Sequence, residues 1–185
     1  MYKNVIFDLD GTLLNTLEDL AAATNWVCAL HGWPAHTVEE YKYFVGNGAP
    51  KLLERVAPPG TALTDELRRV TLAEFTERYN AHKEDRTTAY PGMPEAVRRL
   101  RDSGITLAVL SNKPHEAARP VVERYFPGLF HRVQGALPDV PVKPDPTLLH
   151  RLMEELGASP ADTLFVGDSS VDIRTARNGG LVSCG

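Results

Sequence analysis

Val5-Ile6-Phe7-Asp8-Leu9-Asp10-Gly11-Thr12 is a short apolar run that breaks into two acids and a glycine turn. An apolar run of this length, bounded by turn residues, reads as a buried strand. Similar runs recur at Ile105 to Leu110, at Val133 near Gly135, at Thr163 to Val166 and at Leu181 to Cys184, with helical patterns between them. Strands alternating with helices predict an α/β fold, a parallel sheet with helices on both faces. Punctuation agrees with this. Asp145-Pro146 opens a helix that closes at Gly157, and Ser159-Pro160-Ala161-Asp162 makes a short capped turn before the next strand.

Between Phe7 and Ile105 the chain runs far beyond the dozen or so residues that a simple crossover requires, so a segment is inserted there. Thr16-x-x-Asp19 reads as a capping box, followed by Leu17, Leu20, Ala21, Thr24, Val27, Cys28 and His31 on one helical face. Thr37-x-x-Glu40 starts a second helix, Pro50 a third running to Val56, and Leu63, Leu67, Val70, Phe75 and Tyr79 mark a fourth. The insert is therefore expected to be an all-helical cap domain, residues 16–88, with 1–15 and 89–185 forming the core. Hinges are expected at Leu14 to Thr16 and at Thr87 to Gly92, where Pro91-Gly92 breaks the pattern. Such hinges would let the cap open and close.

Composition narrows the possibilities. With 185 residues, 43% of them hydrophobic, the chain suits one core with a modest insertion and is short for two full domains. A net charge of -4 and a pI near 5.9 provide no global basic field, so nucleic acid is not an expected partner. The N-terminus has no basic lead, and no apolar run nears the roughly 20 residues of a membrane span, so a cytoplasmic protein without membrane attachment is expected. Cys28 and Cys184 lie far apart and form no metal-spaced pair; both are expected as buried thiols.

Chemistry enters at the strand ends. Asp8 and Asp10, two residues apart in an extended segment, face the same side, and paired acids there need compensation. Gly11 lets backbone amides approach an anion, and a divalent cation would hold close carboxylates ionised, which suits a nucleophile working beside a separate proton donor. A capped turn with solvated acids is the alternative. The next strand ends in Leu110-Ser111-Asn112-Lys113, offering a hydroxyl and an amide to phosphate-like oxygens, and Gly167-Asp168-Ser169-Ser170-Val171-Asp172 adds two carboxylates. Lys143, in Lys143-Pro144-Asp145-Pro146, brings a positive charge on a proline-stiffened loop. Individually, Ser111-Asn112 can cap a helix, Asp172 can complement a helix dipole, and Lys143 can be a solvated lysine. Ligands of open α/β sheets bind outside the carboxyl ends of the strands, and helix capping does not account for all these residues falling there together.

Taken in order, Asp8-Leu9-Asp10-Gly11-Thr12, Ser111, Lys143 and Gly167-Asp168 with Asp172 resemble the four motifs of the haloacid dehalogenase superfamily of phosphohydrolases, across nearly the whole chain. The resemblance implies a Rossmann-like parallel core with a helical cap. It implies that Asp8 attacks phosphorus in line, while Asp10 protonates the leaving oxygen and then deprotonates the water that hydrolyses an aspartyl phosphate. Ser111 and Lys143 would hold phosphoryl oxygens, with Thr12 and Asn112 also against substrate. Mg2+ would be held by Asp8, the backbone carbonyl of Asp10 and Asp168, with Asp172 as a further ligand or as support behind them. An acid at position 10 favours phosphoryl transfer over dehalogenation, because dehalogenating relatives lack one there.

The insert resembles the cap of phosphoglycolate phosphatases, through Phe44-Val45-Gly46-Asn47-Gly48 followed by Lys51-Leu52-Leu53-Glu54-Arg55, together with Tyr90-Pro91-Gly92 and Leu110 to Pro114. Gly46, Asn47, Gly48 and Lys51 would then meet a substrate carboxylate, a helix C-cap being the alternative. The expected partner is a small phosphorylated metabolite, and the expected assembly a monomer or homodimer. Asn15 stands where relatives often carry an acid and some pyrophosphate-cleaving relatives carry Asn. The residues after Leu181 end where relatives continue through further loop and helix, an expected shortening that would expose an apolar edge. A sugar phosphomutase, a pyrophosphatase and a non-catalytic module of the same fold are the competing readings.

Overall fold

The first strand, β1 (Asn4–Phe7), is buried at every residue, so after Asn4 its sequence runs apolar instead of alternating. The computed structural model describes residues 2–185 and divides them into two units, residues 2–15 with 88–185, and residues 16–87. In the first unit, β4 (Thr106–Pro114), β5 (Arg132–Ala136), β6 (Thr163–Val166) and β7 (Val182–Cys184) join β1 in a parallel sheet of order β5-β4-β1-β6-β7. This is the α/β architecture that the sequence implies.

Alternate side chains of β1 feed two separate cores. Val5 and Phe7 pack with Leu107 and Val109 of β4, Val97 of α5 (Met93–Asp102) and Ala118, Val121 and Val122 of α6 (His115–Tyr125). Ile6 points the other way, joining Ala108, Leu110 and Phe165 against Leu148, Leu149 and Leu152 of α7 (Thr147–Leu156) and Ala176 of α8 (Ser170–Asn178). Truncating Ile6 to alanine, with no surface exposed, carries a cost of about 2–5 kcal/mol. Strand β4 runs through Ser111, Asn112 and Lys113 to Pro114, with a register shift between Leu110 and Pro114, and these three residues are buried.

The second unit contains α1 (Leu17–Leu30), α2 (Val38–Phe44), α3 (Ala49–Val56) and α4 (Asp65–His82) around Ala21, Val27, Cys28, Tyr41, Leu52 and Phe75. The chain leaves the first unit through β2 (Leu14–Asn15) and re-enters through β3 (Thr88–Ala89), which pair antiparallel. The Thr37/Glu40 capping box forms, with the Thr37 N–H 2.7 Å from Glu40 Oε2. The box expected at Thr16/Asp19 does not. Asp19 is buried and accepts instead from the N–H of Arg86 at 3.0 Å and from the N–H and hydroxyl of Thr87, both at 2.8 Å. A buried carboxylate is better satisfied by several such donors than by one helix-start amide.

Cys28 is buried as expected, whereas Cys184 is exposed, because β7 is an edge strand whose residues face solvent. No helix among the described residues is long and apolar enough to cross a membrane.

Candidate active site

Asp8 sits one residue beyond β1 and continues its ladder, its N–H donating to the carbonyl of Val166 at 2.8 Å. The chain then turns back on itself. The N–H groups of Leu13 and Leu14 both donate to the carbonyl of Leu9 at 3.0 Å, and that of Gly11 to the carbonyl of Leu14 at 2.9 Å. Gly11 has a φ of 99°, and a Cβ there would lie 2.5 Å from Asp168 Oδ2. Only glycine allows both the conformation and the approach of this acid.

Lys143 organises the acids. Its Nζ donates to Asp8 Oδ1 and to Asp172 Oδ1, each at 2.7 Å, with the ammonium 5.5 Å from the ring centre of Phe165. Its backbone is clamped on both sides by Asn112, whose Nδ2 donates to the Lys143 carbonyl at 2.9 Å and whose Oδ1 accepts from the Lys143 N–H at 2.8 Å. Asp172 is fixed through its second oxygen, which accepts from the N–H of Ser169 at 3.0 Å and from its hydroxyl at 2.6 Å. Thr12 donates its hydroxyl proton to Asp168 Oδ1 at 2.9 Å. Thr12 and Asn112 thus direct these groups at Asp168 and at the Lys143 backbone.

Oxygens of Asp8, Asp168 and Asp172 lie within 4.8 Å of one another. When all three carboxyls are ionised, the single Lys143 ammonium leaves two negative charges uncompensated. That donor set fits a hard divalent cation, which prefers carboxylate oxygens. Burial pushes the Asp8 carboxyl up to about 7, with Asp172 adding to the push and Lys143 opposing it. Burial on its own would depress the Lys143 ammonium, but Asp8 and Asp172 outweigh it and raise it above the ordinary lysine value. The cluster is short of positive charge.

Asp10 is turned differently. Its carboxylate lies 3.1 Å from Lys113 Nζ, a lysine whose side chain is only 3% exposed, while Asp10 itself is 22% exposed. The Lys113 N–H donates to Ser111 Oγ at 3.2 Å. Neither Lys113 nor Ser169 stood out in the sequence as a functional residue. The usable signal for Lys113 was its place at the end of a buried strand, where an ammonium must find a counter-ion.

The remaining candidates, Gly46, Asn47, Gly48 and Lys51, belong to the helical unit. Gly46 and Gly48 have φ values of 103° and 82°, and Gly48 is the N-cap of α3. Arg55 holds this loop, donating to the Phe44 carbonyl at 2.7 Å and to Asn47 Oδ1 at 2.8 Å, and Lys51 pairs with Glu54 at 2.7 Å.

A parallel sheet presenting acids and a buried lysine beyond its strand ends is the arrangement of a phosphohydrolase core, and the family comparison agrees. Residues 2–180 match the haloacid dehalogenase-like hydrolase family, and the chain belongs to it. A phosphoglycolate phosphatase of Pseudomonas putida is 36% identical over 98% of this chain and 68% of its own length. One from Vibrio vulnificus is 35% identical over 99% of this chain and 82% of its own. A crystal structure from Lactobacillus delbrueckii subsp. bulgaricus, provisionally designated a phosphoglycolate phosphatase, superposes with a TM-score of 0.89 at 33% identity, covering 98% of this chain and 84% of that one.

Proposed function

We propose that this chain is a Mg2+-dependent phosphatase that hydrolyses a small phosphomonoester of the phosphoglycolate type through an aspartyl-phosphate intermediate. The observation that carries the reading is the buried Asp8, joined to Lys143 within an acid cluster short of two positive charges. The relatives named above support the substrate class.

Asp8, Asp168 and Asp172 would hold the cation together with the main-chain carbonyl of Asp10. A bound Mg2+ supplies charge neutralisation for the phosphoryl group as it approaches the acids. Asp8 then attacks phosphorus through a carboxylate oxygen; the bond to the leaving oxygen breaks, and Asp10 gives that oxygen a proton. In the second half, Asp10 takes a proton from water as the water oxygen bonds to phosphorus. The Asp8–phosphorus bond breaks and inorganic phosphate leaves. Lys143 and the Ser111 hydroxyl would steady the equatorial oxygens, where charge is spread in the transition state. Thr12 keeps Asp168 in place and Asn112 keeps Lys143 in place. Recognition of the substrate's carboxylate is assigned to Gly46, Asn47, Gly48 and Lys51 of the helical unit.

Phosphate release is to be measured with and without Mg2+ across a panel containing 2-phosphoglycolate, sugar phosphates and pyrophosphate. The expected outcome is Mg2+-dependent turnover of small phosphomonoesters, lost in Asp8→Asn. Phosphate transferred to a sugar instead of water, or turnover of no ester at all, would refute the reading.

A further inference from the structure

We propose that Lys113 is the positioning residue for the acid-base carboxyl of Asp10, which deepens the phosphatase reading and rests on it. Lysine side chains normally keep the ammonium in water at the end of a flexible stem. Here the side chain is 3% exposed, and the ammonium comes within 3.1 Å of Asp10 Oδ1 and 3.5 Å of Oδ2. A buried ammonium requires a partner in good geometry, and the pair costs a desolvation that its Coulomb attraction roughly offsets. Stability alone is thus a poor reason for the arrangement, whereas fixing a carboxylate that must stay partly exposed to act is a good one.

The strand makes that placement possible. The register shift between Leu110 and Pro114 keeps Ser111, Asn112 and Lys113 buried in succession, and the Lys113 N–H donates to Ser111 Oγ at 3.2 Å. Ser111, assigned to the phosphoryl oxygens, and Lys113, in contact with Asp10, are therefore locked to one another in β4. The ammonium lies closer to Oδ1 than to Oδ2 of Asp10 and so fixes the orientation of the carboxyl plane. In the first step a proton passes from the Asp10 carboxyl to the leaving oxygen as its bond to phosphorus breaks. Lys113 keeps its own protons throughout and acts only by holding the carboxyl plane.

General acid assistance matters in proportion to the basicity of the leaving group, which separates this role from a structural one. Alkoxide departure from 2-phosphoglycolate needs the proton; p-nitrophenolate departure from p-nitrophenyl phosphate does not. Well-placed general acids contribute about 10²–10⁴-fold, so misplacing one is expected to forfeit roughly 10–100-fold on the alkyl ester. In Lys113→Met, kcat for 2-phosphoglycolate should fall at least tenfold more than kcat for p-nitrophenyl phosphate. Lys113→Arg should recover part of the difference, and adding Lys113→Met to Asp10→Asn should cost the alkyl ester nothing further. If the Met variant does not fold, Lys113→Gln carries the same comparison. Equal losses on both substrates, or full additivity with Asp10→Asn, would overturn the assignment while leaving the phosphatase reading intact. Failure of the unsubstituted protein to turn over either ester with Mg2+ would overturn both.

Discussion

Gly167 isolates a steric requirement of the acid cluster without a backbone complication, since its φ is not positive. A Cβ placed there would lie 2.3 Å from Asp172 Cβ and 2.4 Å from Asp172 Cγ, whereas non-bonded carbons settle at about 3.5–4.0 Å. Gly167→Ala must therefore displace Asp172 by about 1.2 Å or more. Asp172 holds three contacts of 2.7, 3.0 and 2.6 Å to Lys143 Nζ and to the N–H and hydroxyl of Ser169, and such a movement breaks most of them. Overpacking costs about 1–3 kcal/mol and each charged hydrogen bond about 1.5–3 kcal/mol, so the variant should lose about 3–5 kcal/mol after partial relaxation. One of the three carboxylates proposed to hold the cation moves as well, so Mg2+ affinity should fall at least tenfold. Urea unfolding, repeated across a Mg2+ titration, reads both quantities because cation binding raises the midpoint. In an Asp172→Gly background, which removes the clashing Cβ, the same alanine should cost under about 1 kcal/mol. An equal cost in both backgrounds would refute the steric argument.

The Asp8 carboxyl, raised to about 7 mainly by burial, must lose a proton to bind a cation, so Mg2+ affinity should drop by about tenfold per pH unit below 7, read by calorimetry between pH 5.5 and 8. A carboxyl raised in the folded state binds protons more tightly there than in the unfolded chain. Its ionisation therefore destabilises the cation-free protein increasingly from about pH 4 to about 7, and the penalty stays constant above that. Asp8→Asn should accordingly raise the thermal midpoint of the cation-free protein at pH 8 while abolishing turnover. Lys143→Met leaves Asp8 and Asp172 without their ammonium and should cost about 3–5 kcal/mol in chemical unfolding, with Mg2+ restoring part of it. Asp19→Ala removes the acceptor for the Arg86 and Thr87 N–H groups and should cost about 2–3 kcal/mol, with amide hydrogen exchange at those two residues accelerated; unchanged exchange would contradict the contact.

The sequence by itself determined the five strands of the parallel sheet, the helical character of the insert and the identity of the acids, because these depend on periodicity, local capping and motif spacing along the chain; the short β2–β3 pair was not legible there. Val5-Ile6-Phe7 had to be a buried strand, and Thr37/Glu40 had to cap, since each needs partners only three or four residues away or a core on either side. The fate of Asp19 was not legible there, because its donors come from the returning chain at Arg86 and Thr87, and burial made them better partners than the helix start beside it. Cys184 looked like a core thiol until the strand order put β7 at the edge. Tertiary structure likewise decided who holds whom around Asp8. Residues as far apart in sequence as Asp8 and Lys143, Asp10 and Lys113, or Thr12 and Asp168 meet only because parallel strands bring their carboxyl ends together. Motif spacing could name the groups, but the pairing of each charge depends on distances and burial that a one-dimensional pattern does not contain.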